Sequence, residues 1–282
     1  MRNLNVHNGN TSDFLDEVVA SKKNSPKDPN YKQRVNVLVP AIKVLYGNYE
    51  TVHNANNHVS LVPSGYVNQE KSDLLKLYTS SNSRLVKLKN SITTVLDNRA
   101  MNTCQYCTIT PIGSLDHIIP KDEFPEFSVN PKNLLPACTT CNSHKSENWK
   151  GSNKTLFLNL YTDVLPSEQY LYVDIVLLDK NILPTFELRN TNHIDVAFFE
   201  LLMSHYTRLH LPKRFKQESH KVISELTNLI TASKNILSQH QIIELVKAKI
   251  EEDKAVFGNN YYKSILEEAL INKQDYLNQI LE

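Results

Sequence analysis

The stretch that decides the fold reads CQYC at 104–107, LDHIIP at 115–120 and NLLPACTTCNSHK at 133–145. It holds all four cysteines of the chain, Cys104, Cys107, Cys138 and Cys141, as two CxxC pairs thirty residues apart. A CxxC turn presents two sulfurs on one side of a knuckle. Two such turns build a tetrahedral thiolate site for zinc, with metal–sulfur bonds of about 2.3 Å. Four thiolates leave no open coordination position, so the ion's expected task is to shape the backbone. A redox role has no support, because no thioredoxin-like βαβ pattern surrounds the pairs. The segment such a cage would hold in place carries an Asp-His dipeptide.

Outward from that stretch the chain is ordinary. Its 282 residues are 40% hydrophobic and 22% charged, with a net charge of +1. That length buries one large core or two modest ones. The near-neutral balance excludes a global basic field, so any nucleic-acid site must be a local patch. Six glycines, with neither GxxxxGK[ST] nor GxGxxG, argue against a glycine-loop nucleotide fold or a β-rich barrel. No apolar run reaches bilayer length, and the opening MRNLNVHNGNTSDFLDEV lacks the charged-then-apolar layout of a signal peptide. The expected location is cytoplasmic, where reduced thiols favour metal over disulfide.

Residues 1–70 read as a polar, lysine-bearing N-terminal arm (1–33) followed by a small apolar segment at 34–47, which Pro40 leaves open between strand and short helix. Residues 71–153 read as an amphipathic helix closed by Asp97-Asn98-Arg99, followed by the cysteine module. In that module 112–119 is a strand or hairpin arm. Residues 139–149 form a helix with Thr139 or Thr140 as N-cap and Gly151 at its C′ position. Residues 154–282 read as a hairpin, with Pro184 towards an edge, and then helices to the end: one run closing at Leu211-Pro212, a second over 214–237, a third over 239–256 and a last after Gly258. The loop FPEFSV at 124–129, Trp149, Tyr261 and Tyr262 read as core, and the segment around His205, Arg208 and Arg214 as the solvated basic edge of a helix.

The string Cys104-x2-Cys107, Asp116-His117, Asn133, Cys138-x2-Cys141-Asn142-x2-Lys145 resembles the HNH endonuclease family in its zinc-bearing form. The match covers about fifty residues, and most motif positions are present. The resemblance implies an α+β fold class: a treble-clef ββα-metal module stapled by the four-cysteine zinc site, with mostly helical flanks. It also implies His117 as general base, Asp116 and Asn142 as ligands of a catalytic Mg²⁺ or Mn²⁺, and Asn133 as the residue that orients the His117 ring by a hydrogen bond. Lys145, one turn beyond Asn142, is the candidate phosphate contact.

The residue chemistry agrees with those roles. Phosphodiester hydrolysis needs an activated water, a cation near the phosphate and a rigid geometry. Imidazole titrates near neutrality, and a carboxylate with an amide oxygen suits a hard divalent ion. Adjacent strand residues point to opposite faces, so Asp116 and His117 need a bent strand to share a site. The family often has His directly after the last cysteine, where this chain has Asn142. Nearby His144 is a rival ligand, one that would favour Mn²⁺ or Ni²⁺.

The reading is a metal-dependent HNH endonuclease that hydrolyses DNA by a single-metal mechanism. One such module nicks one strand, so cutting both needs a dimer or two visits. FPEFSV and NLLPACTTCN resemble standalone bacterial HNH proteins of anti-phage defence, of Septu and retron-linked type, which implies an ATPase or other partner. Two alternatives stand beside it: a catalytically silent zinc treble-clef that binds DNA, and a partner-activated subunit acting mainly through its C-terminal helices.

Overall fold

A computed structural model describes residues 1–94, 101–178 and 181–281. The chain divides into two compact units, one of residues 3–105 and 110–164, the other of 1–2, 106–109 and 165–282. The closing residues Asp97, Asn98 and Arg99 of the expected amphipathic helix, and the hairpin turn at Asp179 and Lys180, lie outside the described residues.

The first unit opens with helices α1 (Thr11–Ser21) and α2 (Tyr31–Asn54) where a loose arm was expected. The Asn10 side chain accepts from the amides of Ser12 and Asp13, which caps α1. Phe14, Leu15, Val18 and Val19 then fall on one buried face. The surrounding lysines mask this short stripe in an averaged composition. Pro40 does not split the following segment, because α2 runs through it for 24 residues. Both Pro40 and Asn36, whose carbonyl a fifth-position amide would have met, are exposed, so water meets the lost bond.

The single helix expected from residue 71 is two, α3 (Asn68–Leu75) and α4 (Ser83–Thr93), the second capped by Asn82 through the Arg84 amide. The module proper follows. Strand β1 (Ser114–His117) pairs antiparallel with β2 (Leu134–Ala137), with Asp116 opposite Leu135 and His117 opposite Leu134. Helix α5 (Thr139–Lys145) comes next. Its N-cap is Cys138 rather than a threonine, and it stops at Ser146, which takes φ +47°. Gly151 is therefore beyond the helix and is not its C′ residue.

The FPEFSV loop and Trp149 are core, as expected: Phe124, Phe127, Val129 and Trp149 are all buried. Phe127 packs on Tyr49 of α2 with ring centroids 4.8 Å apart. Beside Tyr49 lie two buried histidines, His53 and His58, 5.4 Å apart. Neither His58 nitrogen has a hydrogen-bond partner among the described residues.

Burial lowers both imidazoles to about 4. Their folded values lie below the unfolded value near 6.5, so the unfolded chain binds more protons between those limits. The stabilisation is complete above pH 6.5 and is lost as pH falls towards 4, on the order of 3 kcal/mol for each histidine. Replacing His58 by phenylalanine should therefore raise the urea midpoint more at pH 5 than at pH 7.5. An equal shift at both pH values would show that His58 titrates normally.

The second unit begins with a hairpin of β3 (Leu171–Leu178) and β4 (Asn181–Leu188), with Pro184 opposite Ile175. In a two-stranded sheet every strand is an edge, so the missing amide costs little. Helices α6 (Val196–Arg208), α7 (Leu211–Ser233), α8 (Gln239–Phe257), α9 (Tyr262–Ile271) and α10 (Gln274–Leu281) complete it. Pro212 starts α7 instead of ending the helix before it. Phe215 and Tyr262 stack at 4.7 Å, with Phe186 against both. His205 belongs to no solvated edge: it is fully buried, and its Nε2 is 3.0 Å from the Tyr106 carbonyl. Among the described residues no helix is long and apolar enough to cross a membrane.

Candidate active site and metal centre

The sulfurs of Cys104, Cys107, Cys138 and Cys141 are buried and lie within 4.8 Å of one another. Tetrahedral thiolates at zinc bond length sit about 3.8 Å apart, so the cluster needs little adjustment to hold the ion. The Cys141 amide points at the Cys138 sulfur at 3.3 Å, and the Ile109 amide at that of Cys107 at 3.5 Å. Such N–H groups favour the thiolate form, which is the metal-binding one. The donor set therefore fits a structural zinc.

A cleft of about 400 Å³ is lined, among others, by Asp116, His117, Asn142, Ser114 and Tyr78. Asp116 and His117 both reach it although they are neighbours on one strand. His117 is the last residue of β1, where the chain turns away into the loop. That end of the strand supplies the required bend.

The His117 ring is 8% exposed, and its Nε2 lies 2.8 Å from the Ser128 carbonyl. A carbonyl only accepts, so Nε2 carries the proton and Nδ1 is the basic nitrogen. Burial is the main cause that lowers this imidazole to about 4, and the nearby ammonium of Lys145 acts in the same sense. The ring is therefore neutral at pH 7, the form a general base requires.

Asn133 does not bond the His117 ring, contrary to expectation. It is fully buried and braces the loop backbone instead. Its Nδ2 donates to the carbonyls of Ile119 and Phe127, both at 3.2 Å, and its Oδ1 accepts from the Ile119 amide at 2.9 Å and the Tyr49 hydroxyl at 3.1 Å. Asn133 holds the carbonyl of Phe127, the residue before Ser128, whose own carbonyl holds the histidine. The effect is one residue more indirect than the motif implied.

Nor does Lys145 take the place of a phosphate contact. It is 2% exposed, its ammonium lies 3.2 Å from Asp116 Oδ2, and it donates to the His117 carbonyl. It is not among the residues lining the cleft and is not presented to a phosphate. Its charge meets the Asp116 carboxylate in the interior. Removing one partner of such a buried pair leaves the other uncompensated.

Asn142 lines the cleft, and its Nδ2 donates to Ser114 Oγ at 3.3 Å, which leaves the amide oxygen without a hydrogen bond from the described residues. His144, two residues on, is exposed and is not among the lining residues. Asp116 and Asn142 together present hard oxygens to one cavity. One carboxylate and one amide, completed by water and phosphate, suit Mg²⁺ or Mn²⁺.

Ser128 and Tyr78 are not among the sequence-predicted site residues. Ser128 acts through its backbone, which a motif of side chains does not report. Tyr78 comes from the α3–α4 connection, where its place in an apolar repeat reads as packing. The tyrosine's ring meets that of His117 at 65°, with centroids 4.7 Å apart.

Comparison with known proteins bears on this geometry. The family model described as HNH endonuclease matches residues 104–148. The chain is similar to Protein ea31 of Escherichia phage lambda, 24% identical over 63% of this chain and 64% of the relative. It is also similar to Septu protein PtuB of Bacillus thuringiensis, 29% identical over 47% of this chain and 52% of the relative. The chain thus spans between half and two-thirds of the relatives it matches. No solved structure matches it. The family match begins at the first cysteine of the cage and takes in both paired strands and α5. Residues 104–148 are accordingly a domain of the HNH endonuclease family.

Proposed function

We propose that the chain is a metal-dependent endonuclease that hydrolyses DNA phosphodiester bonds, with His117 as general base. The observation that carries this reading is the His117 ring, fixed by the Ser128 carbonyl at Nε2 and sharing one cleft with Asp116 and Asn142. Nδ1 takes a proton from water as the water oxygen bonds to phosphorus. The bond from phosphorus to the 3′ oxygen breaks, and the departing oxygen takes a proton from a second water, giving a 3′-hydroxyl, a 5′-phosphate and a hydroxide that His117 neutralises when it gives up its proton. Asp116 and Asn142 would hold the divalent cation. When bound, that ion supplies positive charge for the phosphate and the leaving oxygen. Lys145 keeps the Asp116 carboxylate in place from behind, and Asn133 keeps the loop rigid.

The four cysteines would hold zinc as a scaffold. The likeness to Septu protein PtuB, with the resemblance to Septu-type nucleases in the sequence, supports a role in anti-phage defence beside a partner such as an ATPase.

The test is conversion of supercoiled plasmid to nicked circle by the purified chain with Mg²⁺ or Mn²⁺. Nicks should carry a 3′-hydroxyl and a 5′-phosphate, and EDTA should stop their formation without removing the thiolate-bound zinc. Cleavage that persists without a divalent ion would overturn the mechanism. Tight plasmid binding with no nicking under either ion would favour the silent DNA-binding alternative.

A further inference from the structure

The turn that follows α3 closes a ring of contacts around His117. The His117 Nε2–H meets the Ser128 carbonyl at 2.8 Å. The Ser128 hydroxyl donates to the Leu74 carbonyl, also at 2.8 Å. Four residues on, the Tyr78 hydroxyl donates to the Leu115 carbonyl of β1 at 2.7 Å, and its ring packs against the imidazole. The circuit thus runs from the histidine, through the loop, into the end of α3, and back to the histidine's own strand.

That end of α3 is itself pinned. Asp73, buried beside Leu74, takes the Arg34 guanidinium at both oxygens, 2.6 and 3.0 Å away, and the Tyr31 hydroxyl donates to its carbonyl at 3.2 Å. A bidentate guanidinium–carboxylate pair fixes direction as well as distance. Leu74 and Tyr78 both precede the matched residues 104–148.

We infer that Tyr78, with the α3 end held by Arg34 and Asp73, is a positioning clamp for the His117 imidazole, so that the HNH domain borrows part of its active geometry from the N-terminal segment. The inference rests on the nuclease reading for its effect on rate, but not for its effect on the ring. Without Tyr78 one side of the imidazole opens to the cleft, and only the Ser128 carbonyl holds it. A misplacement of about 1 Å at a catalytic group costs roughly a hundredfold in rate.

The experiment uses the full chain with Tyr78→Leu, Tyr78→Phe and Ser128→Ala. Three quantities are read: kcat and KM for plasmid nicking, zinc content, and the His117 Cε1–H resonance in histidine-labelled protein. Tyr78→Leu should lower kcat roughly ten- to a hundredfold, leave KM and zinc unchanged, and move the His117 resonance through loss of the ring current. Tyr78→Phe keeps the ring and should recover most of the rate. Ser128→Ala keeps the backbone carbonyl but removes the hydroxyl that ties this residue to Leu74, and should broaden the same resonance even if Tyr78→Leu does not fold.

An unmoved resonance with unchanged kcat would overturn the clamp. A rise in KM alone would overturn it too, by making Tyr78 a substrate contact. A wild-type chain that cleaves nothing, yet shows the resonance shift, would support the clamp and count against the nuclease reading instead.

Discussion

His117→Ala should reduce plasmid nicking by about a hundred- to ten-thousandfold, the usual worth of a positioned general base, while zinc content and DNA affinity stay at wild-type levels. The side chain donates to the Ser128 carbonyl and supports no other hydrogen bond among the described residues, so its removal spares Asn133's hold on the loop. The loss should fall on kcat, because in the proposed role the interaction removed is made with the attacking water and not with bound DNA. Because burial holds the imidazole near 4, wild-type activity should fall on the acid side only as pH drops towards that value. An alanine variant that nicks at the wild-type rate would remove His117 from the chemistry altogether.

Loss of the cysteine-held ion should have the larger effect on structure. Structural zinc in small modules is worth about 10–16 kcal/mol of apparent binding energy at neutral pH, comparable to the whole stability of a domain. Cys138 is also the N-cap of α5, its sulfur accepting the Cys141 amide, so a change there strikes cage and helix together. Cys138→Ser should release the zinc, expose 104–148 to proteolysis and abolish nicking even with Mn²⁺ in excess. Elemental analysis and limited proteolysis read the first two outcomes. A Cys138→Ser protein that resists protease as the wild type does would mean that the paired strands and α5 stand without the metal.

The cage and the Asp-His pair were legible because their spacing is itself the signal: ligand geometry dictates where cysteines fall, and little else in the chain competes. Helices α7 and α8 were legible from their apolar periodicity, although Pro212 was misplaced because a proline both ends one helix and begins the next. What escaped was what depends on partners distant in sequence. Lys145 follows the motif like a phosphate contact, and only the fold shows that Asp116 takes its charge. Asn133 was found as a residue but not in its mode of action, since its four hydrogen bonds run mainly to backbone. Helix α1 was missed because five buried positions among lysines and polar residues look like a solvated arm until α2 is placed beside them. Tyr78 was visible only as one more apolar residue, because proximity to His117 is a tertiary fact.

The separation of the two cysteine pairs also sets a schedule during synthesis. The first pair is complete at Cys107, but the last sulfur, Cys141, is made 34 residues later (141 − 107). At about 5–20 residues per second the ribosome takes roughly two to seven seconds over that interval. For most of it the nascent chain carries Asp116 and His117 without the second knuckle, so the segment that bears them gains its full set of four sulfurs only once Cys141 has been made.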